Sequence, residues 1–428
     1  MPARGRAQAI ALDLERRIRG GELGAGEQLP TVRAMAADLG VDPGTAAAAY
    51  RLLRERGFVI SDGRRGTRVA AQLEPRPSAV SGAPPGVRDL ASGVVDPVLV
   101  PEVGRALRRV AARRPDVTRY EENAKLDALV AYARAEFVRA GVDATALSFV
   151  GGALDGLERV LQARLRPGDR VGVEDPAFPR LLDLLQALNL QPVPIAIDDA
   201  GPDPGELERA LARGLDALVV TPHGQNPFGS SLSEERAAAL RDVIGARELL
   251  LVEDAHGWEA GHRPATLTGG RRQWAVIRSL SRLLGSDVRL AFVAGDELTI
   301  GRVEARQAVT TSWVSRLLQE IVAELLAGDV GRGSKEVNRR RRALLAALER
   351  RGVRAHGRSG MHVCIPVREE AFAVRHLLDA GYAVQAGERF RLRTPPAVRV
   401  ATAKLPPEDV EPLAGVLAEA ATGRSVIN

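Results

Sequence analysis

Residues suited to binding a phosphorylated, planar ligand stand at the ends of short apolar runs along the chain. In "FVGGALDGLERVL" (149–161) glycines precede a helix, and backbone N–H groups together with the helix dipole receive a phosphate at such a place. Later runs end in an aromatic ring, neutral donors, a carboxylate and guanidinium groups. These residues are Phe178, Asn226, Asp254, His256, Ser279, Ser281, Arg282, Arg289 and Arg399.

Taken one at a time, these residues also have simpler structural explanations. Asn226 in "QNPFG" suits a turn, Asp254 suits a helix cap and His256 suits a loop. The order of the motifs along the chain favours a shared site over these separate explanations.

The elements that must position these residues alternate between helical stretches and short apolar runs from about residue 89 onward. Runs such as "DRVGVED", "DALVVTP" and "ELLLVED" predict strands. Such alternation predicts an α/β domain with a mainly parallel sheet covered by helices, whose site lies at the carboxyl ends of the strands. Within this domain, residues 89–428, we predict a large lobe at about 120–325. A smaller α+β lobe is predicted at about 89–119 plus 330–424.

The first 70 residues predict a separate unit. Thr31 suits the N-cap of a second helix, and "TAAAAYRLLRERG" forms a third helix that Gly57 ends. "FVIS" and "GTRVA" are two short strands around "DGRRG". Three helices followed by a hairpin are the order of a winged helix-turn-helix, which we assign to residues 1–70. Residues 71–88 are rich in Pro, Gly, Ala and Ser without periodicity, so they predict a linker.

Binding to duplex DNA requires a helix that fits the major groove and cations that meet phosphates. Both features are present on the second helix, the third helix and the hairpin. The predicted DNA contacts are Arg33, Thr45, Arg51, Arg64, Arg65, Gly66 and Thr67. Any one of these arginines also suits a solvated surface. The whole set, placed on the elements of a winged helix-turn-helix, favours binding to DNA.

The composition is that of a globular protein, and it narrows the classes of function to consider. Hydrophobic residues make up 45% of the 428 residues and charged residues 27%, with a net charge of +6. No long apolar run predicts a membrane span, and the N-terminus lacks a signal-peptide core, so we expect a cytoplasmic protein. The single cysteine, Cys364, excludes an internal disulfide and a cysteine-based metal cluster, and we predict no metal site.

The N-terminal motifs resemble those of the GntR-type winged helix-turn-helix. The motifs on which this resemblance rests are "GEQLPTVR", "AYRLLRERG" and "GRRGTRV". The resemblance implies that operator DNA is a partner. The chain departs from the pattern at Pro43, which stands where the family has a basic residue. The alanines at 46–49 leave the third helix poor in groups that read bases.

The order of the later motifs resembles the fold type I pyridoxal phosphate enzymes, the aspartate aminotransferase group. The whole chain resembles the MocR subfamily of GntR regulators. The resemblance implies that Gly152, Ala153 and Leu154 hold the cofactor phosphate through backbone groups. Ser279 and Arg289 would add side-chain contacts to it.

The same resemblance assigns the rest of the site. Phe178 would stack on the pyridine ring, Asn226 would bond its hydroxyl, and Asp254 would pair with its nitrogen. His256 replaces a tyrosine that usually also touches the hydroxyl. Arg399 would clamp the carboxylate of an amino acid. Ser281 would complete the site, and because domains of this type build their sites at a dimer interface, a homodimer is implied.

Arg282 stands where the family has the lysine that forms the Schiff base. Covalent attachment needs a neutral amine, whereas an arginine guanidinium stays protonated. It also cannot serve as the base that moves the α-proton. The sequence therefore argues against transaminase activity. It leaves non-covalent binding of pyridoxal phosphate, of an amino-acid adduct of it, or of another anionic metabolite.

These observations favour a transcription regulator. Its winged helix-turn-helix binds operator DNA, and its aminotransferase-like domain dimerises and senses a small molecule. Two alternatives stay open. One is a pyridoxal-phosphate-dependent aminotransferase with an attached DNA-binding domain. The other is a dimeric DNA-binding protein whose large domain is vestigial and binds no ligand.

Overall fold

The computed structural model describes residues 3–55, 57–61, 66–70, 83–113, 119, 124–256 and 263–422. Contacts between Cα atoms divide the chain into two compact units. The first contains Met1–Pro77 with Leu165–Val171 and Leu181–Pro192, and the second contains Ser78–Arg164, Gly172–Arg180 and Val193–Asn428. The predicted domain boundaries at residues 70 and 89 stay predictions.

The N-terminal part of the first unit has three helices followed by two strands. These are α1 (Ala3–Arg19), α2 (Val32–Asp38), α3 (Pro43–Glu55), β1 (Val59–Ser61) and β2 (Thr67–Val69). The hydroxyl of Thr31 caps α2 by accepting the N–H of Ala34 at 3.2 Å. Helix α3 begins at Pro43, because proline suits a first helical turn and Asp42 accepts the N–H of Gly44 at 2.6 Å.

The two short strands β1 and β2 pair antiparallel, with Ile60 opposite Arg68. Buried apolar side chains of the three helices, among them Leu14, Ile18 and Leu53, pack with Val59 in one core. The predicted winged helix-turn-helix order is confirmed.

The rest of the chain alternates helices with strands. The strands are β3 (Arg88–Asp89), β4 (Ala146–Val150), β5 (Arg170–Asp175), β6 (Gln191–Asp198), β7 (Gly201–Pro202), β8 (Ala217–Val220), β9 (Leu250–Asp254), β10 (Trp274–Ser279), β11 (Ala291–Gly295), β12 (His362–Pro366), β13 (Tyr382–Ala383), β14 (Gln385–Ala386) and β15 (Ala397–Ala401). The helices are α4 (Val103–Arg113), α5 (Asp127–Arg139), α6 (Ala153–Arg164), α7 (Pro179–Ala187), α8 (Pro204–Ala212), α9 (Glu234–Ile244), α10 (Ser281–Leu284), α11 (Glu297–Ala308), α12 (Arg316–Leu326), α13 (Arg332–Glu349), α14 (Glu370–Asp379) and α15 (Val410–Thr422).

Eight strands form the large sheet in the order β4-β11-β10-β9-β8-β5-β6-β7. Strands β8, β9 and β10 run parallel, whereas β11 is antiparallel to both β10 and β4. The sheet is therefore mixed and not mainly parallel at this edge. The reason is the connection from Ser279 to Ala291, which is too short for a parallel crossover. Since β4 is antiparallel to β11, its carboxyl end lies at the same edge as those of β9 and β10.

Two buried clusters define a large and a small lobe. Phe137, Leu251 and Phe292 belong to the first cluster, and the small lobe packs Leu90, Val363 and Val400 with helices α13, α14 and α15. The small-lobe sheet has the order β12-β15-β14. Helix α4 packs with the large lobe through Ala106, although its residues are predicted to belong to the small lobe. Its apolar face meets α12, a helix whose position the local sequence does not reveal.

Two features are absent from the part of the chain that the structure describes. No helix there combines the length and apolar composition that crossing a bilayer requires. Likewise, no group of three or more His, Cys, Asp or Glu side chains is arranged there to hold a metal ion.

Candidate functional site

The first part of the site is a glycine loop at the start of α6. Gly152 has a φ of +111°, and a Cβ there would lie 2.3 Å from Nη2 of Arg289, so this position requires glycine. Arg289 donates from Nη2 to the carbonyl of Gly151 at 3.3 Å and from Nη1 to Oγ of Ser281 at 3.1 Å. The structure thus brings three predicted residues together at a helix start, where backbone N–H groups bind phosphate.

The neighbouring predicted residues lie around this phosphate cup, which we define as Gly152, Ser281 and Arg289. Ser279 ends β10, is buried, and accepts the backbone N–H of Ser281 on its Oγ at 3.3 Å. Ala153 and Leu154 are the first two residues of α6 and are half-buried. The residues that follow the carboxyl ends of β4 and β10 therefore form two sides of the cup.

The second part of the site contains a carboxylate and two rings. Asp254 ends β9 and is buried, and its Oδ2 lies 2.9 Å from Nδ1 of His256. The rings of Phe178 and His256 have centroids 5.7 Å apart and are tilted by 32°. Oδ1 of Asn226 and Nε2 of His256 are buried without a hydrogen-bond partner in the described chain. Because such atoms cost free energy, they favour a polar ligand group at this place.

The third part is a row of three nitrogen-rich side chains. Nη2 of Arg282 lies 3.1 Å from Nε2 of His362, and Nη1 of Arg399 lies 3.3 Å from Nδ1 of the same ring. A neutral imidazole has one acceptor nitrogen, so only one of these contacts is a hydrogen bond. Arg399 also donates from Nη2 to the carbonyl of Ala91 at 2.5 Å.

Arg399 is buried, and its Nε has no partner in the described chain. Burial, followed by the charge of Arg282, lowers the pKa of Arg399 to about 10. A ligand carboxylate would reverse this effect, because it favours the charged guanidinium.

His362 is a site residue that the sequence motifs do not predict. It stands in "MHVCIPV", which predicts only a strand, and it is 1% exposed. Strands β12 and β15 pair with Cys364 opposite Arg399 and His362 opposite Ala401. A polar ring in an otherwise apolar strand is the one signal that the sequence offers for it.

We expect His362 to make the protein less stable in acid. Burial, followed by the charges of Arg399 and Arg282, holds the pKa of His362 well below its usual value. The unfolded chain therefore binds a proton that the folded chain does not. The stabilising contribution is complete above about pH 6.5 and falls by up to about 1.4 kcal/mol per pH unit below it. Urea unfolding at about pH 7.5 and about pH 5.5 measures this change in the wild type and in His362→Gln.

The variant should lose less stability than the wild type over this interval. Glu174 and Glu253 act in the opposite sense, because burial raises their pKa values to about 8 and about 7. They bind protons more readily in the folded chain, so acid stabilises it through them. Both proteins contain these two residues, which therefore cancel in the comparison. Equal losses of stability in the two proteins would contradict the assignment to His362.

Two contacts between the lobes fix the loops that carry the site. Ser359 donates its hydroxyl to the carbonyl of Ser230 at 2.7 Å and accepts the N–H of Gly224 at 2.8 Å. Gly229 has a φ of +71°, and a Cβ there would lie 2.7 Å from the carbonyl oxygen of His362. The loop that contains Asn226 is thus packed against the turn before β12.

The second contact between the lobes is a carboxylate in a cluster of backbone donors. Asp175 accepts the N–H groups of Leu392, Arg393 and Thr394 at 2.8, 2.8 and 3.1 Å. Charge-assisted bonds of this kind are among the stronger hydrogen bonds in proteins. Asp175 therefore ties the end of β5 to the loop before β15.

The predicted DNA contacts differ in how available they are. Arg33 and Arg51 are exposed, whereas Thr45 is only 8% exposed and packs into the unit that contains α3. Gly66 has a φ of +88°, and Thr67 begins β2. Arg64 and Arg65 lie outside the described residues. Thr45 is therefore the residue of this set that is least available for a direct contact with a base. All of these contacts stay predictions.

Two family models cover most of the chain. The model described as bacterial regulatory proteins, gntR family, matches residues 6–69. The model for aminotransferase class I and II matches residues 85–417. The fold and the matches define a DNA-binding domain joined to an aminotransferase-like domain. The chain belongs to the MocR group of GntR-type transcriptional regulators, as the sequence motifs predict.

Characterised relatives with the same organisation are regulators. The chain is 32% identical over 426 residues to the vitamin B6 salvage pathway transcriptional repressor PtsJ of Salmonella typhimurium, covering 97% of this chain and 98% of the relative. It is 30% identical to the pyridoxine biosynthesis transcriptional regulator PdxR of Corynebacterium glutamicum, over 56% of this chain and 54% of the relative.

Solved structures with a similar fold are aminotransferases. LysN, an α-aminoadipate aminotransferase from Thermus thermophilus, has a TM-score of 0.70 at 23% identity, covering 81% of this chain and 95% of that one. An archaeal alanine:glyoxylate aminotransferase has a TM-score of 0.70 at 22% identity, covering 79% and 91%. At this identity the likeness shows the fold, and the predicted fold type I domain is confirmed.

Proposed function

We propose that this regulator senses pyridoxal phosphate, or an amino-acid adduct of it, at the site described above and without covalent attachment. The observation that carries the proposal is the phosphate cup of Gly152, Ser281 and Arg289, combined with arginine at position 282. The names of two relatives refer to vitamin B6 salvage and pyridoxine biosynthesis, which supports a ligand of this class.

The residues present fit the parts of such a ligand. The start of α6 and Arg289 suit the phosphate, and Asp254 suits a protonated ring nitrogen. The unpartnered buried atoms of Asn226 and His256 suit the ring hydroxyl. When bound, pyridoxal phosphate supplies a ring that withdraws electrons from the carbon atom at which chemistry occurs. Arg399 would bind the carboxylate of an amino-acid adduct.

Arg282 is the reason to propose a sensor and not an enzyme. A guanidinium does not form the covalent link, and it does not accept the proton that transamination moves. Two of the three lysines are engaged elsewhere. Nζ of Lys125 lies 2.6 Å from Glu304, and Nζ of Lys404 lies 3.2 Å from Asp89. The third, Lys335, is exposed in α13. We infer that none of the three takes the role of the family's Schiff-base lysine.

The proposed output is a change in operator binding. The regulator would act as a homodimer with two winged helix-turn-helix domains, in the cytoplasm where the DNA lies. A ligand shifts an arrangement of domains only when it binds one arrangement more tightly than another. Because the site contains Arg282 on the large lobe and Arg399 on the small lobe, a ligand that bridges them favours a particular distance between the lobes.

Equilibrium dialysis with pyridoxal phosphate tests the proposal. The wild type should bind it and release it on dialysis, and borohydride reduction should add no cofactor mass to the chain. Gly152→Ala should weaken binding by about tenfold or more, because the new Cβ displaces Arg289 from the cup. Gly141→Ala is the matched control, since Gly141 also has a positive φ of +74° but no atom within 4 Å of the added Cβ.

Three outcomes would contradict the proposal in different ways. A cofactor mass attached to a wild-type lysine after reduction would move the enzyme alternative to the front, and turnover of amino-acid and keto-acid pairs would then decide it. No binding by the wild type would favour the vestigial domain. Binding that leaves the affinity for the DNA upstream of its own gene unchanged, measured by fluorescence anisotropy, would remove the sensing role.

A further inference from the structure

A second cavity lies between the two lobes and shares only Arg399 with the proposed cofactor site. Its volume is about 290 Å³. That is roughly twice the volume of about 150 Å³ that suffices for benzene in an engineered protein cavity. Pro176, Pro227 and Phe228 of the large lobe form one side, and residues of β12, β15 and the loop 387–396 form the other. The cavity therefore has room for an aromatic ring with a short chain.

The walls of this interlobe cavity are mainly apolar. Phe228 and Phe390 contribute aromatic rings, and several prolines add surfaces that lack an N–H donor. The ring of Phe228 stacks on His356 with centroids 4.1 Å apart and an angle of 22°. Cys364 also lines the cavity, and burial raises the pKa of its thiol to about 12, so it stays neutral. Flat walls of this kind suit a planar ring.

The lining contains the guanidinium groups of Arg354, Arg391 and Arg399 and the imidazole of His356. Two of them already have carboxylate partners: Nδ1 of His356 lies 3.2 Å from Asp199, and Nε of Arg391 lies 3.1 Å from Glu370. Arg354 is exposed and forms no ion pair with any described carboxylate. Among the residues that the structure describes, no aspartate or glutamate lines the cavity. The lining therefore favours a ligand with a negative charge.

We propose that the interlobe cavity binds a monocarboxylic acid that carries an aromatic ring. The ring lies between the apolar walls, and the carboxylate pairs with Arg354 at the exposed mouth. A carboxylate keeps part of its hydration at this position, whereas burial beside Arg399 would remove it. Because both lobes contribute to the cavity, the ligand favours one distance between them. This inference does not depend on the proposed cofactor.

Isothermal titration calorimetry with 3-phenylpropionate and with its uncharged amide tests the proposal. The wild type should bind the acid about tenfold or more tightly than the amide. Arg354→Gln should reduce the affinity for the acid to that for the amide and leave the amide unaffected. Arg358→Gln is the matched control, since Arg358 is also exposed but does not line the cavity.

A second pair of variants tests the location independently of charge. Ala397→Leu fills the cavity and should abolish binding of both probes, whereas Ala371→Leu, at an exposed position in α14, should bind them as the wild type does. Saturation with pyridoxal phosphate should change the affinity for the acid without preventing its binding, because the two ligands occupy different places but both favour a distance between the lobes. Mutually exclusive binding of the two, equal binding of acid and amide, or full binding by Ala397→Leu would each overturn the proposal.

Discussion

Replacing Arg282 with lysine should turn a reversible ligand into one that borohydride fixes to the protein. In a preparation treated with pyridoxal phosphate and reduced, the wild type should show no cofactor mass, and Arg282→Lys should show nearly complete labelling at position 282. The physical reason is the amine. The nearby charge of Arg399 lowers the pKa of a lysine at this position, so a substantial fraction is neutral at mildly alkaline pH. Mass spectrometry of peptides and the visible absorption spectrum measure the result.

A control must show that position matters and not the mere gain of a lysine. Arg302→Lys adds an amine on the exposed face of α11 and should remain unlabelled. If Arg282→Lys binds the cofactor but stays unlabelled, Arg282 does not occupy the position of the family's lysine. If the wild type is labelled to the same extent, another lysine reaches the site.

Gly229→Ala should cause the second large effect, a loss of stability together with a loss of ligand binding. The residue has a φ of +71°, and the added Cβ would lie 2.7 Å from the carbonyl oxygen of His362 and 2.8 Å from Cα of Gly357. Both atoms belong to the backbone, so a side-chain rotation does not relieve the contact. A left-handed conformation costs about 1–2 kcal/mol and overpacking about 1–3 kcal/mol, so we expect a loss of about 2–5 kcal/mol.

Chemical unfolding followed by circular dichroism measures this change. Gly214→Ala is the matched control: its φ is +86°, and no atom lies within 4 Å of the added Cβ. It should lose only the conformational part, about 1–2 kcal/mol. Equal losses in the two variants would show that the contact between the lobes at Gly229 contributes nothing to stability.

Local signals in the sequence predict much of the fold. Thr31 caps α2 as its residue type indicates, and strands appear where the apolar runs predict them. The glycines of the phosphate cup are visible in the local sequence, and the rule that strand ends meet at one sheet edge brings Ser281 and Arg289 to them. These features depend on short-range patterns and on the rule that the carboxyl ends of parallel strands meet.

Features that depend on tertiary packing are not visible in the sequence. The direction of β11 depends on its pairing with both β10 and β4, and the burial of Thr45 depends on which face of α3 meets the core. His362 joins the site because β12 pairs with β15 in one register. The interlobe cavity arises only when segments far apart in the chain approach each other.

The contact of Asp175 with the loop at 392–394 has a consequence for communication within the domain. Asp175, Pro176 and Phe178 lie within four consecutive residues, and they contact the small-lobe loop, the interlobe cavity and the ring of His256 respectively. This short segment therefore contacts three separate regions of the domain. A ligand that moves this segment at one of the three places changes the free energy of binding or of contact at the other two. Because coupling between sites is reciprocal, each of the other two places affects binding of that ligand by the same free energy.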